Sequence, residues 1–85
     1  MATCLCFFGS LREMAGGGER VVEIPQHVET IASLIDWIAG DDDALKAALL
    51  APSVRVAVDQ VIMLDRMTSL RRAEEIAFMP PFSGG

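Results

Sequence analysis

The chain closes on the stretch Ile76-Ala77-Phe78-Met79-Pro80-Pro81-Phe82-Ser83-Gly84-Gly85. Its first part belongs to a segment rich in strand formers, Glu75–Met79. Two consecutive prolines end that strand because each removes a backbone N–H from the ladder, so the residues after them must leave the sheet. This pattern predicts a folded domain over residues 1–79 and an extended tail over residues 80–85.

The tail ends in two glycines. Because glycine has no Cβ, Gly84 and Gly85 can pass through a slot too narrow for other residues and present the terminal carboxylate to a partner. At average glycine content, such a pair closes a chain by chance about once in 200 sequences. The ending therefore indicates a tail that is used for chemistry.

Composition limits the remaining possibilities. The chain has 85 residues, of which 52% are hydrophobic, enough for one small domain with its own core. A net charge of -5 and a pI near 4.6 disfavour nucleic acid and favour a basic protein surface as partner. We expect no membrane association and a cytosolic location, because no apolar run reaches the length of a span and the amino terminus lacks the positive start of a signal peptide.

Further segments have the composition of strands. The first strand segment of the chain, Cys4–Phe8, is apolar at every position, which is typical of a central strand covered on both faces. The third segment, Val54–Val58, alternates valines with Arg55 and Ala57. Asp59-Gln60 can form the turn that connects it to the fourth segment, Val61–Met63, in a hairpin. With the last strand, the set is Cys4–Phe8, Glu19–Ile24, Val54–Val58, Val61–Met63 and Glu75–Met79.

A main helix follows Thr30, a suitable N-cap. Ile31, Leu34, Ile35 and Ile38 recur at the helical spacing and form one apolar stripe, and Gly40 ends the helix. The element order predicts an α+β roll in which a mixed sheet of four to five strands packs on this helix.

Two short helices accompany the main one. Ser10 and Glu13 fit a capping box at the start of a helix over Leu11–Ala15, which Gly16–Gly18 ends. The acidic triplet Asp41–Asp43 places negative charge at the amino end of a second helix, Ala44–Leu50.

Cys4 and Cys6 are the two cysteines of the chain, and in a strand they point to the same face. They do not form a standard redox motif, and no further cysteine completes a metal site. With His27 as the one histidine, we expect no metal centre and interpret both cysteines as small buried hydrophobic residues.

The opening Phe7–Gly16 and the close Ile76–Gly85 resemble the β-grasp sulfur carriers of the ubiquitin-like class, and most closely the small subunits of molybdopterin synthase. The close is similar to that family's A-F-x-P-P-x-x-G-G ending. The related thiamine carriers share Gly-Gly but usually lack the double proline and the Ala44–Leu50 helix. The chain departs from the family at Ala73-Glu74, where a Gly-Asp turn is usual, so a glycine with positive φ is expected to be lost.

The resemblance implies a subunit that donates sulfur and is not catalytic on its own. An adenylyltransferase similar to ubiquitin-activating enzymes spends ATP on an acyl-adenylate of Gly85, and sulfur from a donor displaces AMP to leave a thiocarboxylate. Two such carriers dock on a dimer of large subunits in a heterotetramer. There the sulfur is transferred to cyclic pyranopterin monophosphate in molybdenum cofactor biosynthesis. The carrier itself is expected to bind no cofactor.

Each residue of the tail has a separate implied role. Gly85 carries the reacting group and Gly84 provides clearance. Ser83, Pro81 and Pro80 belong to the inserted segment, where the prolines stiffen the exit and reduce the entropy lost on insertion.

Three further residues are candidates for contact with a partner: Phe82, Phe78 and Arg12. For Phe78 a place in the core is equally expected, and for Arg12 a solvated surface charge is favoured. Trp37 lies off the apolar stripe and is either a core residue of a second face or a contact site.

Three other functions fit the Gly-Gly ending. The chain could carry sulfur for thiamine thiazole synthesis, although the double proline argues against it. It could be a ubiquitin-like modifier that is conjugated to lysine amines through Gly85. Finally, it could be a binding module in which Gly84-Gly85 has no chemical role.

Overall fold

Five strands form one mixed sheet in the computed structural model, which describes residues 2–70 and 72–81. The strands are β1 (Ala2–Phe7), β2 (Glu19–Glu23), β3 (Arg55–Val58), β4 (Val61–Met63) and β5 (Glu75–Met79). Their order is β2-β1-β5-β3-β4, with β1 and β5 parallel and the other neighbours antiparallel. This architecture confirms the α+β β-grasp roll, with five strands.

The main helix, α2 (Ile31–Ala39), begins as its sequence predicts. The Thr30 hydroxyl accepts a hydrogen bond from the Ser33 N–H at 3.1 Å, and the Ser33 hydroxyl accepts one from the Thr30 N–H at 3.0 Å. Ile31, Leu34 and Ile35 are fully buried. Burial of each such side chain contributes about 1.5–3 kcal/mol, so this stripe fixes the helix on the sheet.

The first helix, α1 (Ser10–Ala15), forms without the expected capping box. Gly9 is its N-cap, with φ 56° and ψ -136°, and no side chain caps the helix. The prediction was wrong because the chain turns from β1 into α1 at Gly9, which places Ser10 inside the first turn instead of before it. The expected stop at Gly16 is confirmed, with a left-handed φ of 85°.

The third helix, α3 (Asp43–Leu50), starts within the acidic triplet as expected. Asp42 is the N-cap, and its carboxylate accepts a hydrogen bond from the Leu45 N–H at 3.0 Å. Lys46 forms an ion pair with Asp36 of α2. In the part of the chain that the structure describes, no helix has the length and apolar character needed to cross a membrane.

The core lies between the sheet and the helices. Phe7 of β1 and Phe78 of β5 stack with their ring centroids 5.4 Å apart and their planes 8° from parallel. The other large side chains that are fully buried are Leu5, Ile31, Leu34, Ile35, Leu49, Val56 and Ile76. The opposite face of the sheet carries a second cluster of small side chains, Cys6, Ala57 and Ala77.

The hairpin between β3 and β4 turns through Asp59 and Gln60, whose φ angles are 50° and 72°. Two successive residues with positive φ are typical of the tight type I′ turn. The Asp59 carboxylate also accepts hydrogen bonds from the N–H groups of Glu74 and Glu75, at 2.8 and 3.0 Å. Asp59 thereby fixes the start of β5 to this hairpin.

The turn before β5 keeps a positive φ without a glycine. Arg72 adopts the left-handed conformation with φ 52°, one residue before the Ala73-Glu74 pair. Ala73 is buried, and its carbonyl accepts a hydrogen bond from the Thr3 hydroxyl at 2.8 Å. The turn therefore has a different shape, in which an arginine takes the unfavourable backbone position.

Candidate functional site

The tail leaves the domain beside the end of β1. Because β1 and β5 are parallel neighbours, their carboxyl ends lie at the same edge of the sheet. Phe7 is paired with Phe78, and the Phe8 N–H donates a hydrogen bond to the Phe78 carbonyl at 3.1 Å. The chain after β5 therefore emerges next to Phe8 and Gly9.

Gly9 makes room for the first residue of the tail. A Cβ placed on Gly9 would lie 2.7 Å from Cγ of Pro80, closer than any ordinary van der Waals contact. The φ of 56° at Gly9 is also one that residues with a side chain rarely adopt. Gly9 is thus needed twice, for the turn into α1 and for the seat of Pro80.

The two prolines mark the end of the described chain. Pro80 is half-buried against Gly9, whereas Pro81 is exposed. The remaining predicted tail residues, Phe82, Ser83, Gly84 and Gly85, lie outside the described residues, so their roles stay predictions. What the structure provides is a packed root from which the tail starts.

An exposed aromatic ring lies beside this root, and an arginine lines the same cleft as that ring. Phe8 is 49% exposed beside the exit of the tail. A shallow cleft of about 200 Å³ is lined by Phe8, Arg12 and Glu19, together with Cys6, Phe7 and Gly18. Arg12 is exposed, and its guanidinium packs along the loop at Gly18. Phe8 and Arg12 are therefore both at the surface, and contact of Arg12 with a partner stays a prediction.

Phe78 is not available as an interface anchor. Its side chain is fully buried and stacked on Phe7, so the core role is the one that the structure shows. Of the two roles expected for Phe78, the interface role is excluded because its side chain lies on the inward face of β5. Phe8, directly after β1, is exposed instead. Trp37 is 38% exposed on α2, so it is at the surface rather than in a second core.

The Cys6 thiol is not a preformed nucleophile. Burial, together with the hydrogen bond shared with Cys4 and the nearby charges of Glu75 and Glu19, raises the pKa of Cys6 to about 11. At neutral pH this group is therefore protonated. Within residues 2–70 and 72–81, no three His, Cys, Asp or Glu side chains are grouped so that they could hold a metal ion.

Comparison with known proteins assigns the chain to a family. The sequence profile of the ThiS family matches residues 5–85, nearly the whole chain. The chain belongs to the ThiS family of ubiquitin-like sulfur carriers. No curated protein sequence is significantly similar to it.

Several solved structures share the fold of this ThiS-family chain. SAMP1 from Haloferax volcanii has a TM-score of 0.79 at 22% identity, with both chains covered completely. A putative molybdopterin converting factor, subunit 1, from Pyrococcus furiosus has a TM-score of 0.76 at 19% identity, covering 96% of this chain and 99% of its own. The HVO 2177 protein of Haloferax volcanii has a TM-score of 0.78 at 25% identity, covering 100% of this chain and 87% of its own.

Two structural features of this ThiS-family chain were missed by the sequence analysis. Gly9, the residue after the predicted strand Cys4–Phe8, received no functional role from the sequence, whereas in the structure it seats Pro80. Asp59 was assigned to a turn, whereas it also anchors the start of β5. The position of Gly9 directly after an aromatic strand is the one sequence feature that indicates its importance. Its contact with Pro80 depends on the pairing of β1 with β5, and a local sequence pattern carries no information about that pairing.

Proposed function

We propose that this chain is the sulfur-carrier subunit of a molybdopterin synthase. The observation that supports it best is the packed exit of the tail, in which Pro80 is seated against Gly9 and followed by a second proline and a Gly-Gly end. A carrier must present its terminus at a fixed place and still thread it into a narrow site. The packing of Pro80 against Gly9 fixes where the tail leaves the domain, and the two glycines without side chains allow the terminus to enter a narrow site.

Activation of the terminus takes place in a partner enzyme. A carboxylate is a poor electrophile, so the Gly85 carboxylate attacks ATP, forms an acyl-adenylate and releases pyrophosphate. A sulfur donor then attacks the acyl carbon and displaces AMP, which leaves a thiocarboxylate. The adenylyltransferase, which resembles ubiquitin-activating enzymes, supplies this chemistry, and the carrier supplies the terminus.

Transfer takes place on the large subunit. Two carriers dock on a dimer of large subunits, and each thiocarboxylate passes its sulfur to cyclic pyranopterin monophosphate, after which hydrolysis returns the carboxylate. The exposed ring of Phe8 lies beside the exit of the tail, and Arg12 lines the same cleft as Phe8, so the two side chains fit a partner surface with an apolar seat. Aromatic and arginine side chains are those most enriched among the strong contacts of protein interfaces.

Conjugation to proteins is the second candidate function. The same acyl-adenylate reacts with a lysine amine to give an isopeptide bond, and solved structures named as small archaeal modifier proteins share the fold, at 22% identity. Donation of sulfur for thiamine thiazole synthesis is a third candidate function within the family. The double proline and α3 favour the molybdopterin role over the thiazole role.

The deciding experiment is fragment-resolved mass spectrometry of protein purified from its native host. A terminal fragment in which sulfur replaces one oxygen on Gly85 supports a carrier, whereas an isopeptide-linked fragment from another protein supports a modifier. Intact mass does not suffice, because oxidation at any of five methionines or two cysteines adds a nearly equal increment.

Deletion of Gly85 tests the role of the terminus itself. We expect complete loss of thiocarboxylate and of molybdopterin formation when the shortened chain is assayed with the large subunit. Gln26→Ala, an exposed change near the opposite end of β1, is the control and should retain both. A deletion variant that still supports molybdopterin formation would contradict the proposal.

A further inference from the structure

The strand at one edge of the sheet, β4, is not protected against pairing with a further strand. In the described part of the chain its one neighbour is β3. Soluble proteins usually guard such an edge with charged side chains or prolines. The opposite edge, β2, is guarded by Glu19, Arg20 and Glu23, whereas residues 61–64 carry no charge and no proline.

The free side of β4 presents the backbone groups of Ile62. In an antiparallel ladder, successive residues direct their N–H and C=O groups to opposite sides of the strand. The Asp59 N–H donates to the Glu75 carbonyl of β5 at 2.8 Å. The residue before it, Val58, therefore faces β4, where it is paired with Val61. Ile62 comes next along β4, so its N–H and C=O are directed away from β3.

Large apolar side chains accompany this free edge. Val61 and Ile62 are 58% and 52% exposed, and Leu64, which directly follows β4, is 82% exposed. An exposed apolar run of this kind marks a surface for association. The side chains and the backbone of β4 therefore both favour the addition of a strand.

The two ends of β4 carry opposite charge. At its start, the lining of an open cleft of about 430 Å³ includes Asp59, Glu74 and Glu75. At its end, the lining of a second cleft, of about 320 Å³, includes Arg55 and Arg66. A strand that runs antiparallel to β4 fits best when it has the same polarity, because its acidic end then lies at the basic end of β4 and the reverse. The β4 strand of a second copy has this polarity.

We propose that β4 pairs antiparallel with β4 of a second copy across a twofold axis, so that two five-stranded sheets join into one. The N–H and C=O of Ile62 in each copy then bond to the edge strand of the other. Both copies use the same surface, so the assembly closes at two chains. Since β3 separates β4 from β5, the root of the tail at Pro80 stays uncovered in both copies.

The test is sedimentation equilibrium of the full chain, with a phosphine reductant that prevents disulfides between copies. Because the interface is small, we expect a monomer–dimer equilibrium with a Kd of roughly 10 to 500 µM. Ile62→Pro removes the outward N–H and leaves the bonds to β3 intact, so it should weaken the dimer about tenfold or more. Val21→Pro is the matched control: Val21 is 70% exposed on β2, its N–H also faces away from the sheet, and its variant should associate normally.

Charge reversal tests the polarity of the pairing. Arg55→Glu and Glu74→Lys should each weaken the dimer about three- to tenfold, and the double variant should recover most of the affinity. Glu74→Lys makes the chain less negative, so simple repulsion between copies would make that variant associate more tightly. Tighter association of Glu74→Lys would therefore overturn the antiparallel arrangement.

Hydrogen exchange reads the backbone pairing directly. The Ile62 amide should exchange more slowly as the protein concentration rises, whereas the exchange of the Val21 amide should stay constant. A chain that is monomeric at about 1 mM would overturn the proposal, as would an Ile62→Pro variant that associates like the native chain. Open-ended polymers that Val21→Pro abolishes would also overturn it, because β4 would then pair with β2. Circular dichroism verifies that each proline variant is folded, and Ile62→Lys, which keeps the N–H but adds like charges, should also weaken the dimer.

Discussion

Gly9 occupies the point where β1, α1 and the root of the tail meet. We expect Gly9→Ala to lower the free energy of unfolding by at least about 1–2 kcal/mol, since alanine is strained at the left-handed φ. The new Cβ would also press on Cγ of Pro80. Chemical denaturation measures the loss, and Gly17→Ala is the matched control, because a Cβ there meets nothing within 4 Å.

The contact with Pro80 can be separated from the backbone strain. In the double variant Gly9→Ala/Pro80→Ala the crowding Cγ is absent, so the loss of stability should be smaller than the sum of the two single losses. Additive losses would mean that the strain at φ 56° accounts for the whole effect and that Pro80 is not seated on Gly9.

The position of positive φ before β5 shows how far single residues can be predicted. The sequence led us to expect its loss at Ala73-Glu74, but Arg72 has a positive φ. In the same turn the Ala73 carbonyl accepts a hydrogen bond from Thr3, and the next two N–H groups donate to Asp59. Those partners come from distant parts of the chain. A local sequence pattern therefore cannot indicate which residue of such a turn adopts the positive φ.

At the scale of elements, the two predicted caps give opposite outcomes. Thr30 and Ser33 form a reciprocal cap, whereas Ser10 makes no capping contact. Both patterns were present in the sequence. The difference lies in the residue directly before each helix, which must be extended and carry a side-chain acceptor to act as a cap. At α1 this residue is Gly9, which has no side chain.

We therefore expect Thr30→Ala to reduce the free energy of unfolding by about 1 kcal/mol. Ser10→Ala should change it by no more than about 0.5 kcal/mol, because the serine hydroxyl caps nothing and alanine favours a helix. Denaturant unfolding of the two variants side by side provides the measurement. Equal losses would contradict the assignment of the caps.

At the scale of the whole molecule, the fold followed from periodicity and the site did not. The helical stripe of α2 and the strand segments were enough to predict an α+β roll, and the β-grasp type came from the resemblance. The exit of the tail depends on the parallel pairing of β1 with β5, which are separated by most of the chain. Long-range pairing of this kind decided that Phe8 is exposed and Phe78 buried.

The stiffness of the exit should determine how tightly the carrier binds the large subunit. Replacing Pro80 and Pro81 by alanine frees the backbone of two residues, each worth about 0.4–1 kcal/mol of entropy that binding must then remove. We expect the affinity to fall about 4- to 30-fold, measured by calorimetry with the large subunit. Pro25→Ala, a half-buried proline next to the far end of β1, is the control and should bind normally. Unchanged affinity of the double variant would show that the prolines end β5 without preorganising the tail.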